Sequence, residues 1–433
     1  MPKDRPLLTA ADSAWLQMET PTNLMTITGL MTLKGRLDTD DLRELFEEKL
    51  LRHERFNRKI GRAPVGLGRH RWLPHDIDLE KHVVRITGAS SWTKEDLEAF
   101  VSRELGTPLD LSEPPWRFFV IEDYPGGSAV VNRVHHCIGD GYALMAVLLD
   151  MTEPLVKGTT SGAMDRTRAG TGSKIVTALT MAAKAVGSSA YLLTMRRDPK
   201  TVFKGNLGVE KVAAWSDNIA LDEIKESSRA LGCTLNDLLL TSVAGSLRAY
   251  AKDRGESPDG KSVRAVVPVN IRDAGDLELC NRFGLVYLAL PIGVSGCLER
   301  LAEVKRRMDV IKRSPEAFVI FGLLKTAGIM HPAIQAGIVK YFAKNATAVM
   351  TNVPGPTGPL ALAGVEIDSI MFWVPQSGRL GMGVSILSYN QKVRVGIATD
   401  KLLVPDPEKL IEGFHAELEQ YRGKAREAAK RSA

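Results

Sequence analysis

A mixed α/β fold in two halves is what this chain predicts, and three observations carry the prediction. Its 433 residues are more than one hydrophobic core usually serves, so two domains are expected. Strand-like and helix-like segments alternate through both halves in similar proportion. Turn signals between neighbouring strand-like runs argue for mixed sheets with hairpins rather than a doubly wound parallel sheet. The expected division is a first domain over residues 1–151, a linker with a crossover helix over 152–211, and a second domain over 212–433.

Each element follows from local chemistry. Residues 23–33 (NLMTITGLMTL) are rich in side chains that suit a pleated sheet. Residues 39–53 read as an amphipathic helix, with Leu42, Leu45, Phe46 and Leu50 at helical spacing. Thr39 is its expected N-cap, and Asp40 and Asp41 suit the positive end of the dipole. A second helix is expected over 92–105, with Thr93 as N-cap and Asp96 three residues on, the shorter-carboxylate form of a capping box. Residues 116–122 and 128–134 read as strands joined by a turn at Pro125, Gly126 and Gly127, and an apolar helix follows at 142–149. Residues 157–173 are rich in Gly, Thr and Ser and read as an exposed linker; 175–195 read as a largely apolar helix. In the second half, strands are expected at 212–219, 262–269 and 283–290, and repeatedly between 346 and 399. Helices are expected at 221–231, 235–252 (with Asn236 and Asp237 in its opening turn), 298–312, 315–330, 333–342 and 407–421, the last running into a basic tail.

Composition bounds the function. With 44% hydrophobic and 25% charged residues, the chain has the make-up of a soluble globular protein with apolar material to spare for a lined cavity. A net charge of +6 suits an anionic surface or ligand. Nucleic acid is a poor partner, because Lys and Arg are scattered among carboxylates and no recognised binding motif occurs. The four cysteines show no C-x-x-C spacing and the first residues are polar, so reduced thiols in a cytoplasmic protein are expected. No apolar run of about 18 residues occurs, so peripheral contact with the inner membrane face or lipid inclusions is open, but a spanning helix is not expected.

The chemistry concentrates in His135-His136-Cys137-Ile138-Gly139-Asp140-Gly141, where a strand ends and a helix begins. A neutral imidazole takes a proton from a hydroxyl or thiol and returns it later. The glycines let the backbone turn and approach a ligand, and Asp140 can hold the turn by pairing with a distant cation. Two other readings compete. Adjacent histidines can ligate a metal, but neighbours in a strand point to opposite faces, and no HExxH or Cys/His cluster supplies further ligands, so no metal is expected. A purely structural pair would be an unusual way to fill a core.

The HHxxxDG pattern resembles that of the coenzyme A-dependent acyltransferase superfamily. Residues 8–33, 108–123, 267–291 (with NRFG at 281–284) and 351–364 (TNVPGPTGPLALAG), together with Asn236-Asp237, are similar to the bacterial wax ester synthase/diacylglycerol acyltransferases. These segments keep the family's order over most of the chain. One departure is Pro114-Pro115-Trp116, where the family usually has Pro-Leu-Trp; a proline removes a backbone donor and stiffens the segment.

The resemblance implies two chloramphenicol-acetyltransferase-like domains around a substrate tunnel, reached by His136. His136 would deprotonate a fatty alcohol or diacylglycerol, whose oxygen attacks acyl-CoA, and would then protonate the departing thiolate. No covalent acyl-enzyme is required, in keeping with the absence of a G-x-S-x-G elbow. Acyl-CoA is a substrate in this scheme, and no cofactor is implied. His135 orients the loop or packs. Gly141 closes the motif, and Asp140 is expected to pair with Arg272, with Arg282 as runner-up. Asn281 and Asn236 are the candidates for stabilising the oxyanion, Asn236 having helix capping as its plainer role. Asp237 completes the family's Asn-Asp pair. Glu19 would hold polar groups near the site, and Trp116 packs in the core rather than meeting substrate. The apolar helices at 175–195 and 315–342 would dock on lipid or else fill a core. Competing functions are acyl transfer to a small or polyketide alcohol, and a catalytically silent lipid-binding protein on the same scaffold.

Overall fold

The structure is a computed structural model that describes residues 6–62, 70–156, 197–272, 279–312, 314, 320, 322 and 344–432. The first half gives strand β1 (Thr26–Leu33), a hairpin of β2 (Arg58–Arg62) and β3 (His70–Pro74), then β4 (Val83–Ile86), β5 (Trp116–Ile121), β6 (Ser128–His135) and β7 (Thr152–Pro154). Its helices are α1 (Ala10–Met18), α2 (Thr39–Glu48), α3 (Leu79–His82), α4 (Lys94–Gly106) and α5 (Gly141–Met151). The second half gives β8 (Lys211–Trp215), β9 (Ile219–Ala220), β10 (Val263–Asn270), β11 (Phe283–Leu290), β12 (Ala348–Pro354), β13 (Leu360–Leu362), β14 (Val365–Trp373), β15 (Met382–Tyr389) and β16 (Lys392–Asp400). Its helices are α6 (Leu221–Ala230), α7 (Leu235–Asp253), α8 (Cys297–Lys312) and α9 (Glu408–Ser432). The readings at 157–173, 175–195, 333–342 and nearly all of 315–330 lie outside the described residues.

Two large mixed sheets organise the molecule, as the hairpin signals predicted. The first has the order β4-β5-β6-β1-β14-β13-β7 and the second β11-β10-β12-β15-β16-β8, with β9 beside β16. Parallel pairing joins β4 to β5 and links β10, β12 and β15. The other pairs are antiparallel.

One segment crosses the division expected at 212. β13 and β14 come late in the chain but lie in the first sheet, where Thr28 pairs with Trp373 and Thr32 with Ser369. Without β14, β1 would carry a row of unpaired N–H and C=O groups along one edge. The two sheets then meet through β14: a Cβ on Gly396 of β16 would come within 2.9 Å of Met371 Cε and 3.0 Å of Trp373 Nε1. Trp215 of β8 completes the contact, edge-on to Trp373 with ring centroids 5.4 Å apart.

Several local readings hold and three are corrected. The capping box at Thr93 and Asp96 is formed in both directions. The β5–β6 turn needs its glycines: Gly126 has a φ of 86°, and a Cβ on Gly127 would sit 1.9 Å from Leu33 O. Thr39 is not the cap of α2. Asp38 is, accepting from the Asp40 N–H at 2.8 Å, while the Thr39 N–H and hydroxyl both donate to Glu122 Oε1. The final helix does not stop at 421. Phe414, Leu418, Tyr421 and Ala425 keep one face buried at helical spacing, so the basic segment continues as helix. Gly139 and Gly141 do not turn the backbone through left-handed conformations, since neither has a positive φ. Gly139 is required by packing instead, its missing Cβ lying 3.1 Å from Leu279 Cδ1 and 3.2 Å from Ala143 Cβ.

Candidate active site

His135 closes β6 and Gly141 opens α5, so the intervening motif is a short connection held from several sides. His136 donates its backbone N–H to Met25 O at 2.7 Å. Its imidazole is buried and lies flat on Trp15 of α1, with ring centroids 4.1 Å apart and planes 15° from parallel. Phe283 of β11 covers it at 5.8 Å. Burial pushes the His136 pKa down to about 4, against the opposing pull of Asp140 and of the residue's own carbonyl. The ring is therefore neutral at physiological pH. The ring's Nδ1 is buried.

His135 points to the opposite face, as alternation along a strand requires. It is fully buried, its Nδ1 accepts the Cys137 N–H at 3.1 Å, and its Nε2 lies 3.2 Å from Glu19 Oε2. Glu19 also accepts the Met25 N–H at 2.9 Å. Burial raises the Glu19 pKa, but His135 and that N–H outweigh it and hold the carboxylate below its ordinary range. Glu19 and His135 thus fix the strand end from which His136 projects, and His135 is buried away from the cavity-facing ring.

Asp140 is the N-cap of α5, with Oδ1 accepting the Ala143 N–H at 3.0 Å. Its Oδ2 pairs with Arg272 at 2.6 Å and accepts the backbone N–H of Arg282 at 2.9 Å. The expected pair with the second half of the chain is formed by Arg272; Arg282 reaches Asp140 through its backbone. Arg272 is held in turn by its own N–H to Asn270 Oδ1 at 3.0 Å and by the Cys280 carbonyl.

Asn281 takes a different part from the one expected. Its Nδ2 donates to His136 O at 2.7 Å and to Asp12 Oδ1 at 2.8 Å. Both amide hydrogens are committed, so none is left for an oxyanion, and Asn281 instead pins the histidine backbone. Asp12, fully buried on α1, pairs with Arg55 at 3.0 Å. Arg55 in turn donates to the carbonyls of Cys137 and Ile138, at 3.1 and 2.9 Å. Sequence reasoning missed Asp12, Trp15 and Arg55. The available signal was a carboxylate and an indole three residues apart on a short helix, a spacing that puts both on one face.

The remaining candidates form no hydrogen bond or ring contact with His136, although Asn352, the partner of Asn236, lines the cavity that His136 enters. Trp116 is core, its Nε1 donating to Phe56 O at 2.8 Å and its ring packed on Phe46, Phe56 and Phe118. Asp237 belongs to a capping box with Thr234 at the start of α7. Asn236 is not the cap; its Oδ1 accepts from Asn352 Nδ2 at 3.0 Å, tying α7 to β12. Pro115 lies just before β5, where its carbonyl accepts the His135 N–H at 2.9 Å.

Two cavities adjoin at the motif. One, of about 880 Å³, lies between the sheets and is lined by His136, Trp15, Tyr142, Phe283, Thr351 and Ser377 among others. The other, of about 780 Å³, lies between α5 and the first sheet and is almost wholly apolar, with Met31, Phe118, Leu144, Leu148, Met151 and Ile370 in its walls. Ile27, Gly141, Val353 and Phe372 border both, so the second opens beside the histidine.

Paired mixed sheets around a cavity entered by a histidine are a fold this chain shares with solved acyltransferases. The solved wax ester synthase/diacylglycerol acyltransferase of Marinobacter aquaeolei VT8 superposes with a TM-score of 0.70 over 97% of this chain and 99% of its own, at 21% identity. Trichothecene 15-O-acetyltransferase of Fusarium sporotrichioides does so with a TM-score of 0.64 over 97% and 96%, at 13% identity. In sequence, residues 8–157 match the wax ester synthase/diacylglycerol acyltransferase catalytic domain, and 279–422 match the WS/DGAT C-terminal domain. The chain belongs to the wax ester synthase/diacylglycerol acyltransferase family. Among its relatives is the probable diacylglycerol O-acyltransferase tgs1 of Mycobacterium tuberculosis, 25% identical over 94% of each chain.

Proposed function

We propose that this chain transfers a long acyl group from acyl-CoA to the hydroxyl of a fatty alcohol or of diacylglycerol, with His136 as general base. The observation that carries the reading is a neutral imidazole, fixed by Trp15, at the junction of a polar-edged cavity and an apolar slot. Nε2 of His136 takes the hydroxyl proton as the alcohol oxygen attacks the thioester carbonyl carbon. The tetrahedral intermediate collapses with cleavage of the C–S bond, and the imidazolium returns its proton to the thiolate, releasing the free thiol of coenzyme A and the ester. Acyl-CoA serves as substrate, and the scheme needs no cofactor.

Asp140, Arg272, Asn281 and Arg55 hold the loop and act as positioning residues. The Thr351 and Ser377 hydroxyls line the cavity with no hydrogen-bond partner among the described residues, and we assign the oxyanion to one of them. The apolar slot takes an alkyl chain. Peripheral contact with a membrane or lipid inclusion belongs to the same proposal, since the fatty alcohol or diacylglycerol acceptor is water-insoluble. Among the described residues no single helix is long and apolar enough to cross a bilayer. The test is product identification from labelled palmitoyl-CoA offered hexadecanol, dioleoylglycerol or a short polar alcohol. Labelled wax ester or triacylglycerol is expected; ester with the polar alcohol alone would overturn the lipid acceptor.

A further inference from the structure

Among the described residues that line the apolar slot, one side chain is polar, Asn132. It lies in the middle of β6, a central strand, where an amide is poorly suited and apolar side chains are the rule. Directly across on β1 is Gly29, and a Cβ there would come within 2.4 Å of Asn132 Oδ1. The amide leans into space that only a glycine leaves open. Among the described residues its side chain has no hydrogen-bond partner. Asn132 is half-buried, and a chain seated against these methionine, leucine and phenylalanine walls would desolvate its carbonyl acceptor and two N–H donors, at a cost unless that chain hydrogen-bonds to them.

We infer that Asn132 is a specificity residue that reads an oxygen substituent, such as a hydroxyl, in the middle of an alkyl chain seated in this slot. The inference rests on the proposed seating of a chain with its reacting end at His136. Asn132 lies in β6 four residues before His136, which follows the strand's last residue, a separation of about 13 Å of extended backbone. That places the amide well down an extended chain and far from the thioester or the reacting hydroxyl. The donor and the acceptor both bring a long chain, so the shared chemistry is a mid-chain oxygen, and experiment must say which substrate carries it.

The test is calorimetric binding to the full chain, which does not depend on turnover. 12-Hydroxystearoyl-CoA is compared with stearoyl-CoA, and 1,12-octadecanediol with octadecanol, on wild type and Asn132→Leu. Asn132→Ala is run beside them in case leucine crowds Gly29. The expected result is that the substitutions weaken binding of the hydroxylated partner by roughly tenfold relative to its plain counterpart. The arm in which this occurs identifies the donor or the acceptor as the chain that is read. Equal discrimination by wild type and both variants, in both arms, would overturn the inference. Turnover of stearoyl-CoA in the same preparations separates the two claims: its absence would count against His136 chemistry, while the binding ratios would still decide the role of Asn132.

Discussion

At the scale of single residues, His136 depends on its surroundings more than on its identity. Trp15 beneath it and Phe283 beside it exclude water, and burial depresses its pKa to about 4. A base must be unprotonated to act, so a lowered pKa extends activity toward acid. We predict that kcat/KM is flat from neutrality down to about pH 5 and falls tenfold per pH unit only below about 4. An unshifted imidazole would lose half its activity near 6.5. A pH–rate profile, with circular dichroism confirming the fold at each acid point, decides between them. The histidines, Asp140 and its arginine partner were legible in the sequence because they sit in a short motif or a family segment. Asp12 and Arg55 were not, because their meeting depends on how α1 packs against the distant segment that carries Arg55, and no local spacing records that. The expected oxyanion role of Asn281 failed for a related reason: the sequence cannot say which neighbours already claim its two N–H groups.

At the scale of elements, β6, α1 and α5 converge on the motif, and one ion pair ties them to the second half. Asp140 caps α5 and meets Arg272, which follows β10, with both side chains almost fully buried. Removing one partner of a buried pair strands the other charge, so Arg272→Ala is expected to cost about 3–5 kcal/mol of stability and to lower activity with it. A denaturant midpoint equal to wild type would show that the pair holds nothing together. Helices and strands were readable where periodicity was strong, as in α2, α7 and the β5–β6 hairpin. Ends were less readable. The cap of α2 fell one residue early, because Glu122 claims the Thr39 hydroxyl from across the sheet, and α9 ran on because Tyr421 and Ala425 continue its buried face.

At the scale of the whole molecule, the two halves share strands as well as a cavity. β14 supplies the edge partner of β1 and also the surface that packs on β16. A fragment of residues 1–151 would expose that edge of β1, and we predict that it gives no soluble, cooperatively melting monomer. Size exclusion and thermal unfolding of the fragment check this, and a sharp melt from a monomer would restore an independent first domain. The two-sheet α/β class was legible from the alternation of elements. The crossover was not, since residues 360–373 read as strands whichever sheet they join. The sharing matters for function, because the segment that completes the first sheet also lines both cavities through Phe372.

The central claim is that His136 moves the proton in acyl transfer. The most direct measurement is thiol release from palmitoyl-CoA, with hexadecanol or dioleoylglycerol present or absent, for wild type and His136→Ala. The account predicts acceptor-dependent release that falls about 10²–10⁴-fold in the variant while the fold is retained. Release that survives the substitution, or that ignores the acceptor, would contradict it.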